Sequence, residues 1–224
     1  MKRFIALFCI TICSVLCLFS LSACTKKDTL ENYVSELRSN LYLGTLGDLN
    51  IKASYGFREV NQKNDGVASE KANLLTFKLL CNDDNRTSYK IKLTHNQTDY
   101  QADFKLNPVT DSVTAVMEID GFDQNEFTVF LIKGSDKQEI LMSSIVPKNA
   151  MDYKSALIKL KELQAPLLDN YTDQNGNFNA EIHARILVKD QTPYWYVGIV
   201  TNNDVKALLM DGVSGEILAV RKVL

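Results

Sequence analysis

The sequence predicts an α+β fold: an N-terminal helix with an antiparallel β-sandwich-like domain, then a helix packed on a four-stranded antiparallel sheet. Three observations lead there. Apolar residues recur at helical spacing over residues 28–43, a period of two runs from about Asn50 to Pro147, and a second helical stripe near Asn149 precedes four more alternating runs. The 224 residues are enough to bury one large core or two smaller ones. With 25 Lys+Arg against 27 Asp+Glu, the chain lacks the basic excess of a nucleic-acid binder. Its 46% hydrophobic content, with 10 Gly and 4 Pro, excludes a disordered or fibrous chain.

The first element is an export signal. Lys2 and Arg3 precede an uncharged apolar run from Phe4 to Leu21, the order of a secretory signal peptide, although a run of this length can also span a bilayer. The run ends in Leu21-Ser22-Ala23-Cys24, which resembles the lipobox of bacterial lipoproteins. That resemblance implies a diacylglyceryl group on the Cys24 sulfur, cleavage before Cys24, and a lipid anchor on the extracytoplasmic face of the cell membrane. The expected segments are then 1–23 as signal peptide and 24–27 as lipidated Cys and tether. Two acyl chains at ~0.8 kcal/mol per buried methylene make membrane release negligible. Cleavage would also remove Cys9, Cys13 and Cys17, leaving Cys81 as the one free thiol and a net charge of −4.

Residues 28–147 are expected as one unit. A helix fits Asp28 to Leu43, with Asp28 and Glu31 at capping-box spacing, Leu30, Tyr33, Val34, Leu37 and Leu41 on one face, and Gly44 as its stop. Strands follow at 51–57, 75–81, 89–93, 100–106, 113–119, 127–133 and 139–146. The third and fourth flank His95-Asn96-Gln97 and read as a hairpin.

Residues 149–224 are expected as a second unit. Asn149 and Asp152 can cap a helix carrying Tyr153, Ala156, Leu157, Leu160 and Leu163 on one side, and Ala165-Pro166 weakens it. Phe178–Val188, Tyr194–Val200, Asp204–Met210 and Glu216–Val220 then read as strands. The helix, the Tyr/Trp-containing strand, and a strand ending in Asp211 before Ser214-Gly215-Glu216-Ile217-Leu218 together resemble a PepSY-type domain. That family occurs in propeptides of secreted metallopeptidases and in exported lipoproteins. The resemblance implies a protein- or peptide-binding module, in some cases one that modulates an exported peptidase, and brings no catalytic residues with it.

Chemistry-bearing residues are sparse. Cys81, His95 and His183 are the only source of a thiol–imidazole pair, but Cys81 continues the inward row Leu75-Phe77-Leu79 and reads as a structural thiol. Asp173 to Glu181 places oxygens at alternate positions, yet Gly176 stands fourth and Glu181 ninth, unlike an EF-hand loop. An Asn-Gly turn accounts for it. Neither cofactor nor metal is therefore expected, and the chain reads as a non-enzyme. Tyr194-Trp195-Tyr196 is the densest aromatic cluster; alternation sends Trp195 to the core and makes Tyr194 and Tyr196 the candidate binding residues. The favoured reading is a membrane-anchored module for an exported protein or peptide. The alternative is a lipid-tethered small-ligand or cation binder using a pocket between the two units.

Overall fold

The computed structural model describes residues 29–60, 69–81, 86–108 and 110–223. The lipobox residues Leu21, Ser22, Ala23 and Cys24 lie outside them. After a single 3-10 turn at Leu30–Tyr33 come β1 (Val34–Leu46), β2 (Leu49–Glu59), β3 (Lys71–Leu80), β4 (Tyr89–His95), β5 (Thr98–Asp103), β6 (Lys105–Asn107), β7 (Ser112–Glu118), β8 (Glu126–Lys133) and β9 (Asp136–Ser144). Two helices follow, α1 (Tyr153–Leu163) and α2 (Ala165–Asp169). The last four strands are β10 (Glu181–Lys189), β11 (Thr192–Val200), β12 (Val205–Asp211) and β13 (Ile217–Val223).

The α+β expectation is wrong. The described chain is mostly antiparallel β, its thirteen strands form one curled sheet, and the N-terminal helix does not exist. Residues 34–46 form a strand instead, and its bulges explain why the sequence imitated a helix. The register slips between Val34 and Glu36 against β10, and between Arg38 and Asn40 against β2. Each slip inserts one residue, so the inward positions Val34, Leu37 and Asn40 stand three apart, as on a helix face. Beyond the second bulge the alternation returns to two, and Tyr42 and Gly44 point the same way. Gly44 is no helix stop: a Cβ there would run into the side chains of Met142 and Ile140.

The sandwich-like expectation fails too. Neighbouring strands run β1-β2-β3-β7-β6 on one side of β1 and β1-β9-β8-β4-β5 on the other. Only Phe104 separates β5 from β6, and its amide donates to the Tyr89 carbonyl at 3.1 Å, so the sheet nearly closes on itself. This barrel-like curl encloses one apolar cluster that includes Phe77, Phe122, Phe127, Leu131 and Met142.

A second cluster lies between α1 and β10–β12, around Leu157, Leu160, Ile182, Trp195 and Met210. Asp152 caps α1, accepting from the Ser155 amide at 2.9 Å. The four C-terminal strands do not form a sheet of their own. β10 pairs in parallel with the first half of β1, and Leu30, Val34 and Leu37 complete the second cluster. One strand therefore serves both cores.

Candidate binding face

Paired residues on neighbouring strands share a face. Through Glu36↔His183↔Gly198↔Ala207 and Arg38↔Arg185↔Tyr196↔Leu209, the register carries one continuous face across β1, β10, β11 and β12. Its opposite bears Leu37, Ala184, Trp195 and Leu208 and is covered by α1. None of Tyr194, Tyr196, Arg185 or Leu209 belongs to either apolar cluster. Tyr194 and Tyr196 stand on the side away from α1, both half-buried. Trp195 is turned inward, 1% exposed, and its indole N–H donates to the Met151 carbonyl at 3.0 Å.

A charged cluster that the sequence reading missed sits beside Tyr196. Glu36 is only 6% exposed and accepts from Arg38 Nε at 2.8 Å, from Arg185 Nε at 3.1 Å and from Arg185 Nη2 at 3.0 Å. The Arg185 guanidinium in turn lies 5.8 Å from the centre of the Tyr196 ring. That ring folds back over Gly198, where a Cβ would meet its Cε1 and hydroxyl at 3.4 Å. Burial alone would raise the Glu36 carboxyl, but the Arg38 and Arg185 guanidiniums outweigh it and hold the group below its ordinary 4.5. Burial pushes the His183 imidazole below 6.5; Glu36 pulls the other way, while Arg185 and Arg38 add to the depression. Helical spacing hid Glu36 and Arg38. Reading residues 34–38 as a bulged strand would have exposed them.

The other singled-out residues do not meet. Cys81 is half-buried at the end of β3 rather than fully enclosed. His95 ends β4 at 6% exposure, its ring 5.1 Å from that of Phe122 with the amides of Asn96 and Gln124 beside its nitrogens. The turn lies one residue on, where Asn96 and Gln97 take φ of 47° and 65°. His183 lies on the charged face. Asp173 spends its carboxylate on its own loop, accepting from the Asn175 and Asn177 amides at 2.8 Å, and these bonds hold it below the usual carboxylate range. Among the described residues no three His, Cys, Asp or Glu side chains converge as metal ligands.

The Asp211–Gly215 motif performs turn chemistry. Asp211 accepts from the Val213 amide at 2.9 Å and the Ser214 amide at 2.7 Å, and Gly215 takes φ of 78°. The Gly212 carbonyl receives the Met151 amide at 2.8 Å, tying the β12–β13 turn to the approach to α1. The motif thus fixes the helical layer to the sheet. An open cleft of about 430 Å³ between the two cores is lined by Asn40, Tyr55, Phe122, Asp123, Tyr153 and Trp195, among others.

No family model matches this chain, and no curated protein or solved structure matches it either.

Proposed function

We propose that the chain is a lipid-anchored, non-catalytic module at the extracytoplasmic face of the cell membrane, which binds an exported protein or peptide through the Tyr194/Tyr196 face. One observation carries this reading. The sheet face away from α1 presents two tyrosines and an arginine 5.8 Å from the ring of one of them, and rigid aromatics with Arg dominate binding hot spots because they bury much area at little entropic cost. The resemblance of residues 149–224 to PepSY-type domains supports the same partner class and extends it to an exported peptidase. Among the described residues no strand pairs with the outer edge of β13, an edge that an added strand could extend. Tethering by Cys24 would concentrate the module near partners at the same surface.

Two variants of the face test the binding. Tyr194→Ala and Tyr196→Ala each weaken partner affinity by about 1–2 kcal/mol while leaving the thermal midpoint near wild type. Partner is recovered by cross-linking in native membranes and titrated against purified full chain. Normal affinity in both variants rejects this face as the binding site.

A separate substitution tests the anchor. Cys24→Ser abolishes incorporation of a fatty-acid analogue and leaves an unprocessed precursor on a gel. Labelling that persists rejects the lipobox reading.

The cleft between the two cores favours the small-ligand alternative, since it combines aromatic walls with Asn40 and Asp123. A ligand held there would protect Tyr153 and Tyr55 from iodination and leave Tyr194 and Tyr196 reactive.

A further inference from the structure

The binding face continues past Arg38 onto β2 and β3, where it changes character. Arg38 pairs with Gly56, Gly56 with Leu74, Glu36 with Arg58, and Ser54 with Thr76, so these side chains share one face. Gly56 is obligatory here, because a Cβ would fall on the Leu37 carbonyl. Beside it lies a notch of about 50 Å³, walled by Arg38, Arg58, Ser54, Thr76 and Leu74. A pocket needs about 10–15 Å³ on this measure to hold one water, so the notch admits a group of carboxylate size.

Arginines dominate the charges around it, although Glu118, paired with Leu74, and the buried Glu181 lie on the same face. Arg38 uses only Nε on Glu36, which leaves its two terminal amino groups directed elsewhere, and Arg58 is exposed with no ion pair among the described residues. Arg185 and Arg221 lie on the same face across β10 and β13, through Arg38↔Arg185 and Ala207↔Arg221. Glu36, the one carboxylate lining the notch, is already shared between Arg38 and Arg185. The chain as a whole is acidic, at −2. A basic strip on an acidic molecule selects its complement.

We infer that this strip binds an acidic polypeptide segment, one carboxylate of which enters the Gly56 notch between Arg38 and Arg58. The inference rests on the protein-binding reading above and adds the chemistry of the partner. Planar guanidiniums grip a carboxylate with two parallel hydrogen bonds, and the Ser54 and Thr76 hydroxyls can donate to the same oxygens. Tyr196 and Leu209, farther along the strip, supply apolar contact for the residues that follow.

The test uses full chain in detergent micelles and three fluorescein-labelled repeat peptides: glutamate–serine, glutamine–serine and lysine–serine. The glutamate peptide binds and weakens with added salt, and the other two do not bind. Arg58→Gln reduces that affinity about tenfold, the scale of one charge-assisted hydrogen-bonded contact. Lys161→Gln, exposed on α1 across the sheet from the strip, leaves it unchanged. Equal binding of the glutamine peptide, with Arg58→Gln neutral but Tyr196→Ala weakening, overturns the carboxylate inference and leaves the protein-binding reading standing. Glutamate-peptide binding insensitive to both Arg58→Gln and Tyr196→Ala overturns both. Failure of every peptide to bind overturns the carboxylate inference alone, because loss of the cross-linked partner in the Tyr variants still judges the other. Phosphatidylglycerol vesicles that outcompete the glutamate peptide, and that Arg58→Gln no longer binds, make the strip a lipid surface and also overturn it.

Discussion

Trp195→Ala lowers the unfolding free energy by about 3–5 kcal/mol, the range for removing a large aromatic from a packed core. The ring is 1% exposed on the face of β11 that meets α1, so truncation opens a cavity among Leu157, Ile186 and Met210. It also leaves the Met151 carbonyl without its 3.0 Å donor. Trp195→Phe separates the two losses: it refills most of the volume but cannot donate, and costs about 1–2 kcal/mol for the unpaired carbonyl and the residual gap. Urea unfolding of the three proteins measures both. A Trp195→Ala protein as stable as wild type would reject the inward placement of the ring, and with it the outward placement of Tyr194 and Tyr196.

The second large effect comes from Glu36. Glu36→Ala leaves Arg38 and Arg185 paired across β1 and β10 with no anion between them. Breaking a fully buried ion pair costs about 3–5 kcal/mol; these guanidiniums are one-third to one-half exposed, so about 2 kcal/mol is expected. The same group makes stability depend on pH. Glu36 has a folded pKa below its ordinary 4.5, so its contribution is complete above that value and is lost as pH falls through the folded pKa. His183, depressed below 6.5, acts in the same direction at a higher window: the unfolded chain takes up the proton first, so stability falls as pH drops below 6.5. His183→Gln removes the upper decline and keeps the lower one. Glu36→Gln removes the lower decline and deepens the upper one, because Glu36 is the leading group favouring protonated His183. Denaturant midpoints between about pH 2 and 8 read out both windows, and a flat wild-type profile would show that neither group titrates as described.

Much of the local structure was legible. The alternation at 113–119 and the apolar run at 127–133 mark β7 and β8 to within a residue, because both patterns are properties of consecutive residues. Asp152 and the stripe Ala156, Leu157, Leu160 identify α1 for the same reason, and alternation alone placed Trp195 opposite its two tyrosine neighbours.

What the sequence determined by itself is therefore the class of the regular segments, Val34–Leu46 excepted, and the two faces of each regular strand. Tertiary structure alone decided which strands meet. Val34–Leu46 became a strand because β2, β9 and β10 all offer hydrogen-bond partners to it, and bulges let its three-residue spacing face both cores. Glu36 and Arg185 are 149 residues apart, so no local period could pair them. The candidate face exists only once that parallel pairing is made, since hydrogen bonding between distant strands, rather than any propensity of residues 34–38, sets Arg38, Arg185 and Tyr196 in one row.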